Sequence, residues 1–134
     1  MTSWERWNLD FDNRAPIYRQ IILQFYRAFV RGEIPLGARV LSIREMSAVL
    51  KVNTNTMQRV YQEMEREGLI TSKRGTGYFF TEDDNMREKT LYTLAHESLR
   101  RFVEEMRGLG RKNEDIVADL IAYMKEGESR GAYA

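Results

Sequence analysis

Residues 42–64 read SIREMSAVLKVNTNTMQRVYQEM, and this stretch decides the fold. It opens on Ser42-Ile-Arg-Glu45, where the serine hydroxyl can accept an orphan backbone N–H and the glutamate can reach back, a capping box. Ile43, Met46, Val49 and Leu50 then supply the inward face of a short helix. Lys51-Val52 leaves room only for a tight connection, and Asn53 is the expected capping residue of the next helix. Met57, Val60, Tyr61 and Met64 recur at i, i+3, i+4 and i+7, one face of that second helix, which Gly68 ends. Two short helices joined by about three residues make a helix-turn-helix.

The flanks sharpen this reading. Downstream, Leu69-Ile-Thr-Ser-Lys73 and Tyr78-Phe-Phe-Thr81 read as strands around the turn Arg74-Gly-Thr-Gly77, whose glycines permit positive φ. A hairpin directly after the second helix converts helix-turn-helix into winged helix. Upstream, Ala38-Arg-Val-Leu41 is a short strand candidate after the turn Pro35-Leu-Gly37. Before it, Pro16 suits a first helical position, and Ile17, Ile21, Phe25, Ala28 and Phe29 mark a helix stopped by Gly32. Tyr18, Ile22, Tyr26 and Val30 widen its stripe, which predicts cover on two sides, the core on one and a second domain or chain on the other. Residues 1–13 (Trp4, Trp7, Asp10, Phe11, Asp12) read as an extended arm that packs its tryptophans.

Glu82-Asp-Asp-Asn85 begins a second region. Leu91, Leu94, Ala95, Leu99, Phe102, Val103 and Met106 line one face of a long helix ended by Gly108 and Gly110. Asn113 is the expected cap of a last helix carrying Ile116, Val117, Leu120, Ile121 and Met124 on its inward face, with 127–134 frayed. The expected architecture is mainly α with a small β wing: a winged helix-turn-helix domain over 1–81 and a two-helix extension over 82–134.

Composition narrows the chemistry. The chain has 134 residues, 43% hydrophobic and 31% charged, a soluble globular profile. It has no cysteine, which removes disulfides, thiol catalysis and Cys-ligated zinc. Its single histidine, His96, falls in a charged helical stretch and reads as a surface or interface residue, not a triad member or ligand. Glu114, Asp115 and Asp119 have no metal-ligand spacing with it. Met46, Met57, Met64, Met106 and Met124, at helical core spacing, read as core filling. The expectation is therefore not an enzyme, with no metal and no cofactor. No apolar run approaches the ~20 residues needed to span a bilayer, and the opening residues lack a signal-peptide pattern, so the expected location is cytoplasmic, away from membranes. Net charge is +1 overall. Residues 1–81 hold 12 basic and 8 acidic side chains, a net +4, and residues 82–134 hold 9 and 12, a net −3. The first region is the one suited to a polyanion.

Placing Met57, Val60, Tyr61 and Met64 inward turns Asn55, Arg59, Gln62 and Arg66 outward, flanked by Thr56 and Gln58. No acid stands in the first two turns; Glu63, Glu65 and Glu67 wait until the end. Amide and guanidinium groups suit a major-groove reader, since Asn and Gln pair with adenine N6/N7 and Arg with guanine or phosphate. Arg44 and Lys51, at the two ends of the preceding helix, are candidate phosphate contacts. Lys73 and Arg74, beside the slender Gly75, give the wing a basic tip for a minor groove or backbone. The bland alternative, a merely solvated helix face, usually carries Glu–Lys pairs along its length, whereas here the acids stand only at the C-terminal end.

Pro16-Ile-Tyr-Arg-Gln-Ile21, Gly32-Glu33, Gly37-Ala-Arg39, Ser42-Ile-Arg-Glu-Met46, Val52-Asn-Thr-Asn-Thr-Met-Gln-Arg-Val-Tyr61, Glu67-Gly-Leu-Ile70 and Arg74-Gly-Thr-Gly77 together resemble the N-terminal pattern of the GntR family of bacterial transcription regulators, over residues 16–80. The short two-helix tail and the Asn53-to-Tyr61 run look most like its YtrA-type branch. The resemblance implies DNA contacts by Arg44, by Asn53, Thr54, Asn55, Thr56 and Gln58, and by the Arg74-Gly75 wing. It also implies a homodimer joined through the C-terminal helices. Two departures stand out. Leu41 replaces the usual proline before the capping serine, and Thr54 and Gln58 replace common arginines, which shifts the expected preference toward A·T pairs. The function expected is a sequence-specific repressor, dimeric on a palindromic double-stranded operator, with transporter operons as the family's frequent targets. Any small-molecule effector would bind between tail and winged domain or between subunits, and no residue names it. The competing class is a winged-helix adaptor for other proteins, with no specific DNA target.

Overall fold

Local signals start and stop each helix. The computed structural model describes residues 3–7 and 9–130. Helix α1 spans Ile17–Val30 with Pro16 at its cap rather than inside it, and Gly32 takes φ +77° just beyond. Helix α2 spans Ile43–Leu50, and both halves of the capping box are present: Glu45 N–H donates to Ser42 Oγ, and Ser42 N–H donates to Glu45 Oε1, each at 3.1 Å. Lys51 then adopts left-handed φ 56°, ψ 48°, turning the chain within two residues into α3, Thr54–Arg66. Asn53 caps α3 by accepting the Asn55 N–H at 2.7 Å.

Three strands lie close to the expected places: β1 at Arg39–Val40 and β2 at Ile70–Lys73 are trimmed, and β3 at Gly77–Phe80 is shifted one residue back, taking in Gly77 from the expected turn and losing Thr81. They form one antiparallel sheet in the order β1-β3-β2. Lys73 pairs with Gly77, so the hairpin loop is Arg74-Gly75-Thr76. Of the hairpin, Ile70 and Phe80 at its base are buried, while Thr71, Ser72 and Lys73 are exposed. The wing is thus anchored at its base and free at its tip.

The core is made where α1, α2 and α3 meet the sheet. Ile21, Phe25, Ala28, Phe29, Met46, Met57, Val60, Met64, Leu69 and Ile70 have no exposed surface. On α2, Ser47 is buried where the spacing predicts Val49, which is exposed. The N-terminal arm is partly a 3-10 turn, Ser3–Arg6, rather than fully extended, and it does pack its tryptophans. Trp4 is buried with its ring 6.1 Å from Phe80, and Trp7 meets Phe25 edge-on at 4.8 Å.

Helix α4 spans Asp84–Gly108 and α5 spans Asn113–Arg130. Lys112, not Asn113, holds the capping position of α5: its carbonyl accepts the Ile116 N–H at 2.9 Å. Residues 127–130 continue α5 where fraying is predicted, and 131–134 lie outside the described residues. Contacts divide the chain into two compact units, Met1–Leu91 and Tyr92–Ala134. This division falls inside α4, beyond the 81/82 change of composition. Within the first unit, Arg87 donates Nε to the Phe29 carbonyl (2.9 Å) and Nη2 to the Ile34 carbonyl (2.6 Å), tying the start of α4 to the end of α1 and the loop after it.

Candidate nucleic-acid interface

Helix α3 presents the predicted face. Asn53, Thr54, Asn55, Gln58, Arg59 and Gln62 are exposed, Thr56 is half-buried, and Met57, Val60, Tyr61 and Met64 face the core. The helix is held by groups on its rear and at its end. Tyr61 donates its hydroxyl to the Leu41 carbonyl at 2.6 Å and meets Tyr78 edge-on, and burial pushes its phenol pKa up. The strand-to-helix turn that lacks its usual proline is thereby pinned to α3. The three late acids are scaffold groups. Glu63 pairs with Arg66. Glu65 accepts from Ser72 N–H (3.2 Å) and Ser72 Oγ (2.7 Å) on β2. Glu67 accepts the hydroxyl of Tyr26, whose pKa burial drives upward. The carboxylates are consumed in fixing α3, so its first two turns stay free of negative charge.

The other predicted groups surround this face. Arg44 is exposed in the first turn of α2, and Lys51 is exposed at the left-handed corner between α2 and α3. Lys73 places its ammonium 4.7 Å over the Phe79 ring. Arg74 and Gly75 form the exposed wing tip, where Gly75 takes φ +78° and has open space around it. Two groups escaped the sequence reading. Arg39, exposed on β1, lies beside Gly77 of the wing. Tyr18, on α1, lies under Arg59: the guanidinium carbon is 3.8 Å from the ring centroid, and Nη2 donates to Oη at 3.1 Å. Arg59 is thus exposed but not loose. Arg39 and Tyr18 both stand in stretches that carry the family resemblance, without a role assigned to them, and Tyr18 also widens the α1 stripe; its cover is a cation from α3 of the same unit.

On the tail helices, Leu91, Leu99, Val117, Ile121 and Met124 are exposed, Leu94, Phe102, Val103, Met106 and Leu120 are half-buried, and Ile116 is buried. Arg100 bridges Glu97 and Glu104 along α4, and Arg111 grips Asp119 with two hydrogen bonds of 2.9 and 2.8 Å. His96 stacks on Tyr92 at the surface. Among the described residues no helix is long and apolar enough to cross a membrane.

No family model matches the chain. It is 37% identical over 117 residues to the HTH-type transcriptional regulator YhcF of Bacillus subtilis (strain 168), across 87% of this chain and 97% of that protein. It is 29% identical over 127 residues to the HTH-type transcriptional repressor YtrA of the same organism, across 90% of this chain and 95% of that protein. The structure of a GntR family transcriptional regulator from Listeria monocytogenes superposes with a TM-score of 0.77 at 36% identity, across 87% of this chain and 98% of that one. The likeness runs through winged domain and tail alike, and the polar face of α3 gives it a chemical meaning. This chain belongs to the GntR family of HTH-type transcriptional regulators, among its YtrA-like members, and is a DNA-binding regulator of transcription, not an enzyme.

Proposed function

We propose that this regulator is a cytoplasmic repressor that binds as a homodimer to an imperfect palindrome. The observation that carries the reading is the acid-free amide-and-guanidinium face of α3. Asn53, Thr54, Asn55, Thr56, Gln58, Arg59 and Gln62 enter a major groove, where the amides read adenine edges. Arg44 and Lys51 hold backbone phosphates, and Lys73, Arg74 and Gly75 bring the wing to the adjacent minor groove or backbone. Residues 1–81 are the DNA-binding part and 82–134 the dimerisation part. The tail side chains Leu91, Leu94, Leu99, Phe102, Val103, Met106, Ile116, Val117, Leu120, Ile121 and Met124 join the subunits. The exposure of many of them in a single chain supports this, because a large apolar surface left open to water marks an interaction site. Two α3 helices then fall in successive major grooves about 34 Å apart. Operator occupancy blocks polymerase, and a transporter operon is the target class implied by family resemblance.

Fluorescence anisotropy with fragments of the protein's own genome tests the reading. Sequence-specific retention whose affinity falls steeply with salt is the expected result. Gln58→Ala relaxes base preference more than affinity. Absence of binding even at low salt would leave an adaptor of other proteins as the better account. Footprinting of the bound fragment gives half-site spacing and the adjoining genes.

A further inference from the structure

The Tyr18 hydroxyl on α1 accepts hydrogen bonds from two guanidiniums. Arg59 Nη2 donates from α3 at 3.1 Å, and Arg19 Nε donates from the same first turn of α1 at 3.1 Å. Arg59 also stacks on the phenol ring, its central carbon 3.8 Å from the centroid, whereas Arg19 stands off at 5.9 Å. Neither arginine is ion-paired among the described residues; the nearby Glu63 is engaged with Arg66. Two positive groups therefore converge on one neutral oxygen at an exposed edge. The two cations, Arg19 first, pull the Tyr18 phenol below its ordinary range. Like charges held together this way leave most of their N–H donors unfilled and facing water. Such a fork is matched by one bidentate, doubly accepting anion, and a phosphodiester has that geometry.

We propose that Tyr18, Arg19 and Arg59 form a backbone-phosphate clamp that extends the DNA interface from the helix-turn-helix onto α1, with Tyr18 as the positioning residue that holds the two guanidiniums side by side. The clamp rests on the DNA-binding reading above. It assigns Arg59 to the sugar-phosphate backbone and leaves base reading on α3 to Asn55, Gln58 and Gln62. The ring fixes Arg59 from one side and the hydroxyl sets the distance between the two heads, so the ordering entropy of two long side chains is already lost before DNA arrives.

The test is anisotropy of the full chain on a fluorescein-labelled mixed-sequence duplex of about 30 base pairs, titrated at several salt concentrations. Arg19→Ala, at an exposed position, is expected to weaken binding on the order of tenfold near 0.1 M salt and to reduce the slope of log K against log salt by about 0.9. Arg59→Ala behaves alike, and the double variant loses less than the product of the single losses, since the two share one phosphate. Tyr18→Phe keeps the stack but removes the shared acceptor; it lowers affinity several-fold with an unchanged melting temperature. Relaxation of base preference in Arg59→Ala, beyond that of Arg19→Ala, would overturn the assignment of Arg59 to the backbone. Wild-type binding combined with unchanged affinity and slope in Arg19→Ala and Tyr18→Phe overturns the clamp alone. Failure of the wild-type protein to bind the duplex at low salt overturns the DNA-binding reading itself.

Discussion

Helices α3 and α4 both carry apolar side chains at helical spacing, yet α3 buries Met57, Val60, Tyr61 and Met64 while α4 buries no residue. The difference lies in what surrounds them. Helix α3 is wrapped by α1, α2 and the sheet of its own chain, so its apolar face is removed from water and its polar face is left to act. Helix α4 presents Leu91 and Leu99 to solvent, at 51% and 56% exposure. An apolar stripe therefore says which side of a helix seeks cover; it does not say whether the cover comes from the same chain.

The contrast can be broken first at its strongest point. Phe25 is fully buried among Trp4, Trp7 and Phe80, so Phe25→Ala should cost ~3–5 kcal/mol in denaturant unfolding of the winged unit. The same logic predicts a different outcome on the tail. In the proposed homodimer, Leu99→Asp should convert dimer to monomer in sedimentation, weakening association by ~2 kcal/mol or more if Leu99 is a hot spot of that interface; in a chain that is natively monomeric it would cost within ~0.5 kcal/mol, as at other exposed positions. Ser42→Ala removes half of the α2 capping box and should cost ~1 kcal/mol in the same denaturant titration. Lys51→Gly relieves the left-handed corner between α2 and α3 and should stabilise by roughly 0.5 kcal/mol while weakening DNA binding.

The smallest effect is a pH dependence. The Ser42 backbone N–H, and then its hydroxyl, hold the Glu45 carboxyl below its ordinary 4.5. A carboxyl lowered on folding contributes stability above its unfolded pKa and loses it as pH falls through the folded value. Glu45→Gln keeps the reach of the cap without the charge, so its melting temperature should fall less than that of the wild type on acidification from about pH 5 toward about pH 3. Parallel curves would show that the cap is not charge-assisted.

Much of the winged unit was legible because its signals are local. The capping box at Ser42-Glu45, the Asn53 cap and the glycines of the wing act within one turn of chain, and the outward face of α3 is fixed once its inward one is known. The acids at 63, 65 and 67 were legible as a pattern only. Their roles became visible once Ser72 and Tyr26, distant in sequence or in another element, were seen to meet them.

Sequence alone determined the succession of helices, the hairpin and the polar face of α3, because hydrogen-bond capping, backbone φ and helical periodicity depend on residues a few positions apart. Tertiary structure alone decided that Arg59 lies against Tyr18, 41 positions away, that Arg87 closes the end of α1, and that Trp4 fills the space beside Phe80. Such contacts arise from the packing of whole elements, in which a side chain's partner is chosen by the shape and charge of the space left to it.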